Sequence, residues 1–524
     1  MLGFSISSLD ITIMEARNFI TAREMIEENN WILTTLNGEP RYQKPPLPTW
    51  LTAFSALLFG AKNLFALRLP AVLMVIVTGI SSYLLSKKLT DNTSQSLINA
   101  LITISSLYLV VIIIEAPWDI FTHGFMLFGI YCLFQFFESK TVNWKLVIVA
   151  GTAIGLSILS KGPISFYALL LPFLISYGIT FHFKGIKKKI LPILVIIVLS
   201  FSIGASWYAY IRIADSEAFV AIANRETANW SSYNVKPIYY YWSFFTQSGL
   251  WTIPAFVSLL YPYLRTRVPN IKAYGFSFYW TIFAVILLSV IPEKKSRYLM
   301  PVLIPLAINT GFYIDYLIRN FKTLKLKESF IVYFNFGLIG LIGIGVPIYG
   351  LIVLNEMNDF NWLIFSLDAI ILLCLGILIF ISLYRREMKR LFLSTIALYI
   401  ALLALGVPYL KVLKNPNYKN VSQLKQEVES KALKLYGYGH IAPETIWYYD
   451  DKISNIVYSD STYNLPLDKE FALIASKVYP DTDSTLNKNY TLKYISEYDM
   501  NSAQPDTRAH KSRLLNKYYI LTKK

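Results

Sequence analysis

Residues 10–50, DITIMEARNFITAREMIEENNWILTTLNGEPRYQKPPLPTW, are dense in ionisable groups in a chain that is otherwise strongly apolar. Asp10, Glu15, Arg17, Arg23 and Glu24 come first, and Arg41, Tyr42, Gln43, Lys44 and the pair Pro45-Pro46 close the stretch. A carboxylate at its start and an Arg-Tyr-Gln-Lys cluster after a turn pair an acid-base or orienting group with an anion binder. The commoner readings are a Glu on the solvated face of a helix and a Lys in a plain loop. Further along, Asp119 follows Glu115-Ala-Pro-Trp, Lys161 precedes Gly-Pro, Arg225 sits in Asn-Arg-Glu-Thr, and Lys295-Ser-Arg297-Tyr298 heads an apolar run. Ionisable groups at the ends of apolar runs are functional suspects, because an unpaired charge near hydrocarbon is costly. Each has an ordinary alternative: helix capping for Asp119, snorkelling for Lys161 and an interfacial aromatic belt for Tyr239 to Tyr241. For Glu293 to Arg297 the alternative is a loop of solvated lysines.

The elements that position these groups are apolar helices. Of 524 residues, 55% are hydrophobic and 16% charged, and uninterrupted apolar runs near the spanning length of about 20 residues recur. This is an α-helical polytopic membrane protein. Hydropathy predicts about twelve spans, near 67–86, 94–114, 118–137, 145–160, 163–181, 189–211, 248–264, 275–291, 298–317, 329–354, 361–383 and 391–411. Residues 14–28 suit an amphipathic helix, and the short apolar stretch after Lys44 suits a helix lying at the interface. Arg68 stands at the mouth of the first span.

Alternate loops are basic: Lys87-Lys88; Lys184 with Lys187, Lys188 and Lys189; Arg265, Arg267 and Lys272; Arg319, Lys322, Lys325 and Lys327; Arg385, Arg386, Lys389 and Arg390. These mark the cytoplasmic side. The net charge of +16 is thereby accounted for without a nucleic-acid partner. Residues 1–66, loop 212–247, Pro292–Arg297 and the C-terminus then face outward. From 412 the apolar runs shorten, and residues 412–524 read as a small α/β soluble domain, with strands in KALKLYGYGH, NIVYSD, EFALIAS and NKYYILTKK. The expected domains are 1–66, 67–411 and 412–524. Cys132 and Cys374 each lie in an apolar run and imply no disulfide framework.

Several of these motifs carry a resemblance. Glu15-Ala-Arg17, Arg23-Glu-Met, Leu36-Asn-Gly-Glu-Pro40, Lys44-Pro-Pro-Leu-Pro, Lys161-Gly-Pro and Lys295-x-Arg297-Tyr298-x-x-Pro301 resemble the aminoarabinose transferase and protein O-mannosyltransferase superfamily of GT-C membrane glycosyltransferases. The resemblance implies a GT-C-like fold and a polyprenyl-phosphate sugar donor. It implies transfer to a lipid or glycolipid acceptor, lipid A-like, by inverting displacement without a covalent enzyme intermediate. It casts Glu15 and Asp119 as catalytic carboxylates and Lys44, Arg297, Tyr298 and Arg225 as binders of the donor phosphate, with Asp10, Arg17, Arg68 and Lys161 in support. Family members usually carry a transmembrane helix before the acidic motif; residues 1–9 are too short for one, so here it is missing or cut away.

The sequence also departs from its relatives. Met14 stands where many carry the first acid of a pair, Gln43 where an acid precedes the Lys-Pro, and Asn234 where a His can occur. That pattern is a poor zinc site, so no tightly held metal is expected, and a divalent cation is left as the one open cofactor. A hydroxyl acceptor needs a base, whereas a phosphate acceptor, with its second pKa roughly 6, needs none. The rival readings are a protein Ser/Thr acceptor, a lipid or polyanion transporter or flippase, and a noncatalytic sensor working through its tail. The expected place is the inner (cytoplasmic) membrane, with the active site and C-terminal domain outside.

Overall fold

The computed structural model describes residues 7, 9–354, 362–407, 415–456, 463–476, 480 and 483–524. The chain divides into two compact units. The first comprises Tyr42–Leu51 and Leu64–Gly406 with the first few residues; the second comprises Ser8–Arg41, Thr52–Asn63 and Val407–Lys524.

The polar stretch folds as its pattern requires. Helix α1 (Ile13–Glu27) starts at Thr12, whose hydroxyl accepts from Glu15 N while Thr12 N donates to the Glu15 carboxylate, a reciprocal capping box. A two-residue hairpin, β1 (Thr35–Leu36) to β2 (Glu39–Pro40), turns at Asn37-Gly38, both at positive φ, as a primed hairpin turn demands. The Glu24 carboxylate accepts from Asn37 N at 2.7 Å and from the Thr35 hydroxyl at 2.5 Å, tying the turn to α1. The expected interfacial helix is α2 (Leu47–Phe59).

The long helices of the first unit follow: α3 (Leu64–Thr90), α4 (Thr93–Ser105), α5 (Leu107–Glu115), α6 (Pro117–Glu138), α7 (Trp144–Lys161), α8 (Leu171–Phe181), α9 (Ile190–Ala214), α10 (Ser216–Ser232), α11 (Thr252–Ser258), α12 (Tyr261–Leu264), α13 (Ile271–Val290), α14 (Met300–Asn320), α15 (Leu326–Leu354), α16 (Trp362–Tyr384) and α17 (Met388–Ala401). Among the described residues nine helices are long and apolar enough to cross a membrane, and the α4–α5 pair, bent by 43°, makes a tenth. The bend falls at Ser105 and Ser106, whose hydroxyls turn back onto the carbonyls of Leu101 and Ile102, a known way of bending a helix.

The other two expected segments, 163–181 and 248–264, are irregular. A π-helical turn at Phe166–Leu170 leads into α8, whose first turn holds Pro172. A 3₁₀ stretch at Phe244–Trp251 breaks at Gly249, φ 66°, where a Cβ would meet Leu107 Cβ at 2.6 Å.

Close helix packing uses small residues. A Cβ on Gly204 of α9 would lie 2.4 Å from Ile158 Cβ of α7, and one on Gly155 of α7 would lie 2.8 Å from Ile203 Cβ; without side chains the two backbones approach closely. Helix α14 is buried along nearly its whole length. Its Asn309 amide donates to Ser258 O and accepts from the Ser277 hydroxyl, so its polar group inside the bundle is satisfied.

The rest of the second unit has α18 (Leu424–Ser430), β3 (Leu435–Tyr438), α19 (Pro443–Tyr449), β4 (Ser454–Asn455), β5 (Glu470–Ser476), α20 (Ser484–Asn489), β6 (Tyr490–Asp499) and β7 (Leu515–Lys523). The sheet order is β4-β3-β5-β7-β6, parallel across β4, β3 and β5 and antiparallel through β7 and β6. Expected strands in KALKLYGYGH, EFALIAS and NKYYILTKK are β3, β5 and β7; β6 is an addition, and residues 457–460 of NIVYSD lie outside the described residues.

Candidate active site

Asp119 lies in the first turn of α6 and Lys161 at the last residue of α7. They form an ion pair that leaves the Asp119 side chain 2% and that of Lys161 9% exposed. Asp119 is not the helix cap: Ala116 holds that place, with Pro117 first inside, so the capping reading falls. Its pairing oxygen is Oδ1; Oδ2 is buried without a hydrogen-bond partner among the described residues. Lys161 ends its helix because Gly162 follows at φ 78° and Pro163 after it, a turn most other residues would strain.

Lys44 joins this pair. It is partly buried and within electrostatic reach of Lys161, Glu226, Asp119 and Lys295. Burial pushes its ammonium down to about 8; Lys161 and Lys295 add to that shift, and Glu226 and Asp119 oppose it. The backbone just before Lys44 is anchored by Tyr42, whose hydroxyl donates to Asp215 Oδ2 at 2.8 Å. Burial and that bond push the phenol well above its ordinary range. Arg225 is exposed on α10, and it is its neighbour Glu226 that lies near Lys44.

The basic loop before α14 divides its labour. Lys294 is buried and donates to the carbonyls of Ile291 and Lys236, so it holds the backbone. The loop also pairs with the 212–247 segment through Val235 and Glu293. Lys295 Nζ donates to Glu293 Oε1 at 2.5 Å and to the Tyr298 hydroxyl at 3.3 Å, and stands over the Tyr298 ring. Lys161 Nζ lies 5.3 Å from the centre of that ring, and Arg297 is within electrostatic reach of Lys161. Arg297 Nε is buried without a partner among the described residues. Lys44, Asp119, Lys161, Arg297 and Tyr298, from four distant parts of the sequence, therefore share one site. Glu293 and Lys295, from the basic loop that sits on the outward side, join it, as does Glu226, which had not been singled out.

Other candidates occupy the second unit. Glu15 is fully buried and makes the capping box described above. Arg17 O accepts from Arg41 Nη1 at 2.7 Å. Asp10 accepts from the Ser502 hydroxyl at 2.6 Å, engaging the C-terminal fold. Arg68, in the first unit, is buried in the first turns of α3. Asn234 sits in a turn at φ 52°, and among the described residues no three His, Cys, Asp or Glu side chains group as metal ligands.

The site is a concentration of cations, Lys44, Lys161, Lys295 and Arg297, interleaved with the carboxylates of Asp119, Glu226 and Glu293 at the ends of apolar helices. Such an arrangement can hold a phosphate and stabilise negative charge growing on it.

A family model described as dolichyl-phosphate-mannose-protein mannosyltransferase matches residues 43–207. The undecaprenyl phosphate-alpha-4-amino-4-deoxy-L-arabinose arabinosyl transferase of Yersinia enterocolitica is 24% identical over 62% of this chain and 59% of its own length. That of Serratia proteamaculans is 23% identical over 68% and 67%. An uncharacterized protein of Aquifex aeolicus is 24% identical over 63% of each; the first two of these relatives by similarity, from Aquifex and Yersinia, are thus matched over about three fifths of their length. The crystal structure of ArnT from Cupriavidus metallidurans bound to undecaprenyl phosphate superposes with a TM-score of 0.68, at 14% identity, over 99% of this chain and 96% of that one. The chain therefore shares the fold of ArnT, and part of its sequence is similar to a mannosyltransferase family model and to undecaprenyl phosphate-dependent arabinosyl transferases.

Proposed function

We propose that this multi-pass membrane protein transfers a sugar from a polyprenyl-phosphate donor to a lipid or glycolipid acceptor at the outer face of the cytoplasmic membrane. The observation that carries the reading is the cluster of Lys44, Lys161, Lys295 and Arg297 around Asp119, set where apolar helices end. The bond from the sugar's anomeric carbon to the donor phosphate breaks, a bond from that carbon to the acceptor oxygen forms, and the polyprenyl phosphate leaves with the electron pair. Lys44 and Arg297 meet the charge developing on the leaving phosphate; Tyr298 adds a neutral donor. Lys161 holds Asp119 in place, and Asp119 orients the reacting groups.

The motif resemblance, and not the geometry of the cluster, makes Glu15 the candidate base toward a hydroxyl acceptor, or an orienting group if the acceptor is a phosphate. Arg225, exposed on α10, acts as a long-range attractor for the anionic donor. Asp10 and Arg17 support the fold of the second unit, and Arg68 that of the first. The segment 412–524 is an outer domain on this reading, and 67–411 the membrane domain.

Transfer of labelled sugar from defined polyprenyl-phosphate donors in proteoliposomes tests it, with wild type beside Lys44→Ala, Arg297→Ala and Glu15→Gln. Loss with Lys44→Ala and Arg297→Ala supports the site. Loss with those two but not with Glu15→Gln points to an acceptor that needs no base. Absence of transfer from every donor by a folded wild type would remove the reading and favour transport.

A further inference from the structure

A second basic site lies away from this one, on the side of the basic loops. The end of α14, the turn after it, α16 and α17 line an open crevice of about 730 Å³. Its mouth carries Arg319, Lys322, Arg386, Lys389 and Arg390 against one acid, Glu387. Its wall continues along Leu375, Leu378 and Leu393 to Ala397. Leu375 lies about two and a half helical turns from the basic end of α16, deep within the apolar part of the span.

The cations differ in what they already do. Arg319 is paired with Asp315 at 2.9 Å and Arg390 with Glu387 at 3.4 Å. Arg386 is fixed in place: Nε donates to the Tyr333 hydroxyl at 3.2 Å, and Nη1 to the carbonyls of Lys322 and Leu324. Lys322 and Lys389 have no ion-pair partner among the described residues. Orientation in the membrane requires only that basic residues be on this side. It does not require five of them to share a cleft whose far end is lined by leucine.

We infer that this crevice binds an anionic phospholipid of the adjoining leaflet, its phosphate held by Lys322, Lys389 and the fixed Arg386, and an acyl chain lying along Leu375, Leu378 and Leu393. The leucine wall favours a lipid over a free phosphate, because a soluble anion has no use for it. The site is independent of the sugar-transfer reading and needs no activity to observe.

Native mass spectrometry of the full chain, released from phosphatidylcholine nanodiscs and titrated with phosphatidylglycerol, is the test. Wild type retains phosphatidylglycerol, and Lys322→Gln/Lys389→Gln weakens binding by roughly thirtyfold. Ala397→Trp fills the crevice without changing charge and weakens it as well. Lys187→Gln/Lys188→Gln, in another basic loop on the same side, binds as wild type, and glycerol phosphate does not compete. Equal loss in the Lys187/Lys188 control would mean diffuse attraction to anionic lipid and overturn the proposal. Competition by glycerol phosphate as strong as by the lipid would reduce the site to a phosphate binder and overturn it too. So would absence of phosphatidylglycerol from the folded wild type.

Discussion

Lys161, the last residue of α7, donates to Asp119 in the first turn of α6, and the pair is almost wholly withdrawn from solvent. The bond joins the ends of two packed helices and sets the charge around which the other cations gather. Removing one partner leaves the other buried and unpaired, at a cost of roughly 3–5 kcal/mol. Asp119→Asn and Lys161→Met are each expected to lower the thermal midpoint clearly. The double variant recovers part of that loss, because no orphan charge remains, but recovers no transfer activity. Additive losses in stability would show that the two residues do not act as a pair.

The pH profile should report Lys44. Its protonated form is the one that pairs with a phosphate, and burial with neighbouring lysines brings it down to about 8. The cation is therefore present below pH 8 and lost as pH rises through that value, so kcat/KM falls on the alkaline side with a midpoint near 8. Lys44→Arg keeps its charge far above this range and moves the fall to higher pH. A wild-type profile flat to pH 9.5 would contradict the assignment.

One substitution separates the capping role of Glu15 from the base role proposed for it. Its carboxylate closes the capping box with Thr12, and Gln can close the same box. Glu15→Gln is expected to change stability by less than about 1 kcal/mol, whereas Thr12→Ala costs about 1 kcal/mol. Sugar transfer to a hydroxyl acceptor falls in Glu15→Gln but survives Thr12→Ala at temperatures where that variant is folded. Equal activity of Glu15→Gln and wild type on such an acceptor would leave Glu15 a capping residue only.

The contact between α7 and α9 tests the small-residue packing. A side chain at Gly204 would collide with Ile158, so Gly204→Val is expected to cost roughly 1–3 kcal/mol. Ile158→Ala in the same chain opens the space and restores part of the thermal midpoint. No recovery would mean that the glycine matters for its backbone and not for the approach.

Hydropathy and charge alternation make most of the architecture legible, since a span needs a long apolar run and basic loops fall on one side. The exceptions have local causes. Gly249 and Pro172 interrupt helices that composition alone would continue, and Ser105 with Ser106 bends another. Strand β6 escaped notice because TLKYISEYD mixes exposed and half-buried positions at a sheet edge and lacks a strong alternation. In the site, Lys44, Asp119, Lys161 and Arg297 could be named because charge near hydrocarbon is conspicuous, and Tyr298 because it completes the motif with Lys295 and Arg297. Glu226 could not be preferred to Arg225, since which of two adjacent helical residues turns toward Lys44 depends on the rotation of α10.

The composition of the second unit bears on how the protein is made. Asn37 exchanges two 2.8 Å hydrogen bonds with the backbone of Ile453 across 416 positions of sequence, Arg23 pairs with Asp450, and Phe19 packs on Trp447. At ribosomal speeds of 5–20 residues per second, Ser8–Arg41 waits roughly 20–80 s for these partners. Every span found among the described residues is synthesised in that interval. The nascent opening segment is then a natural client for a chaperone, and a ribosome stalled before residue 450 would leave it protease-sensitive however well the spans had inserted.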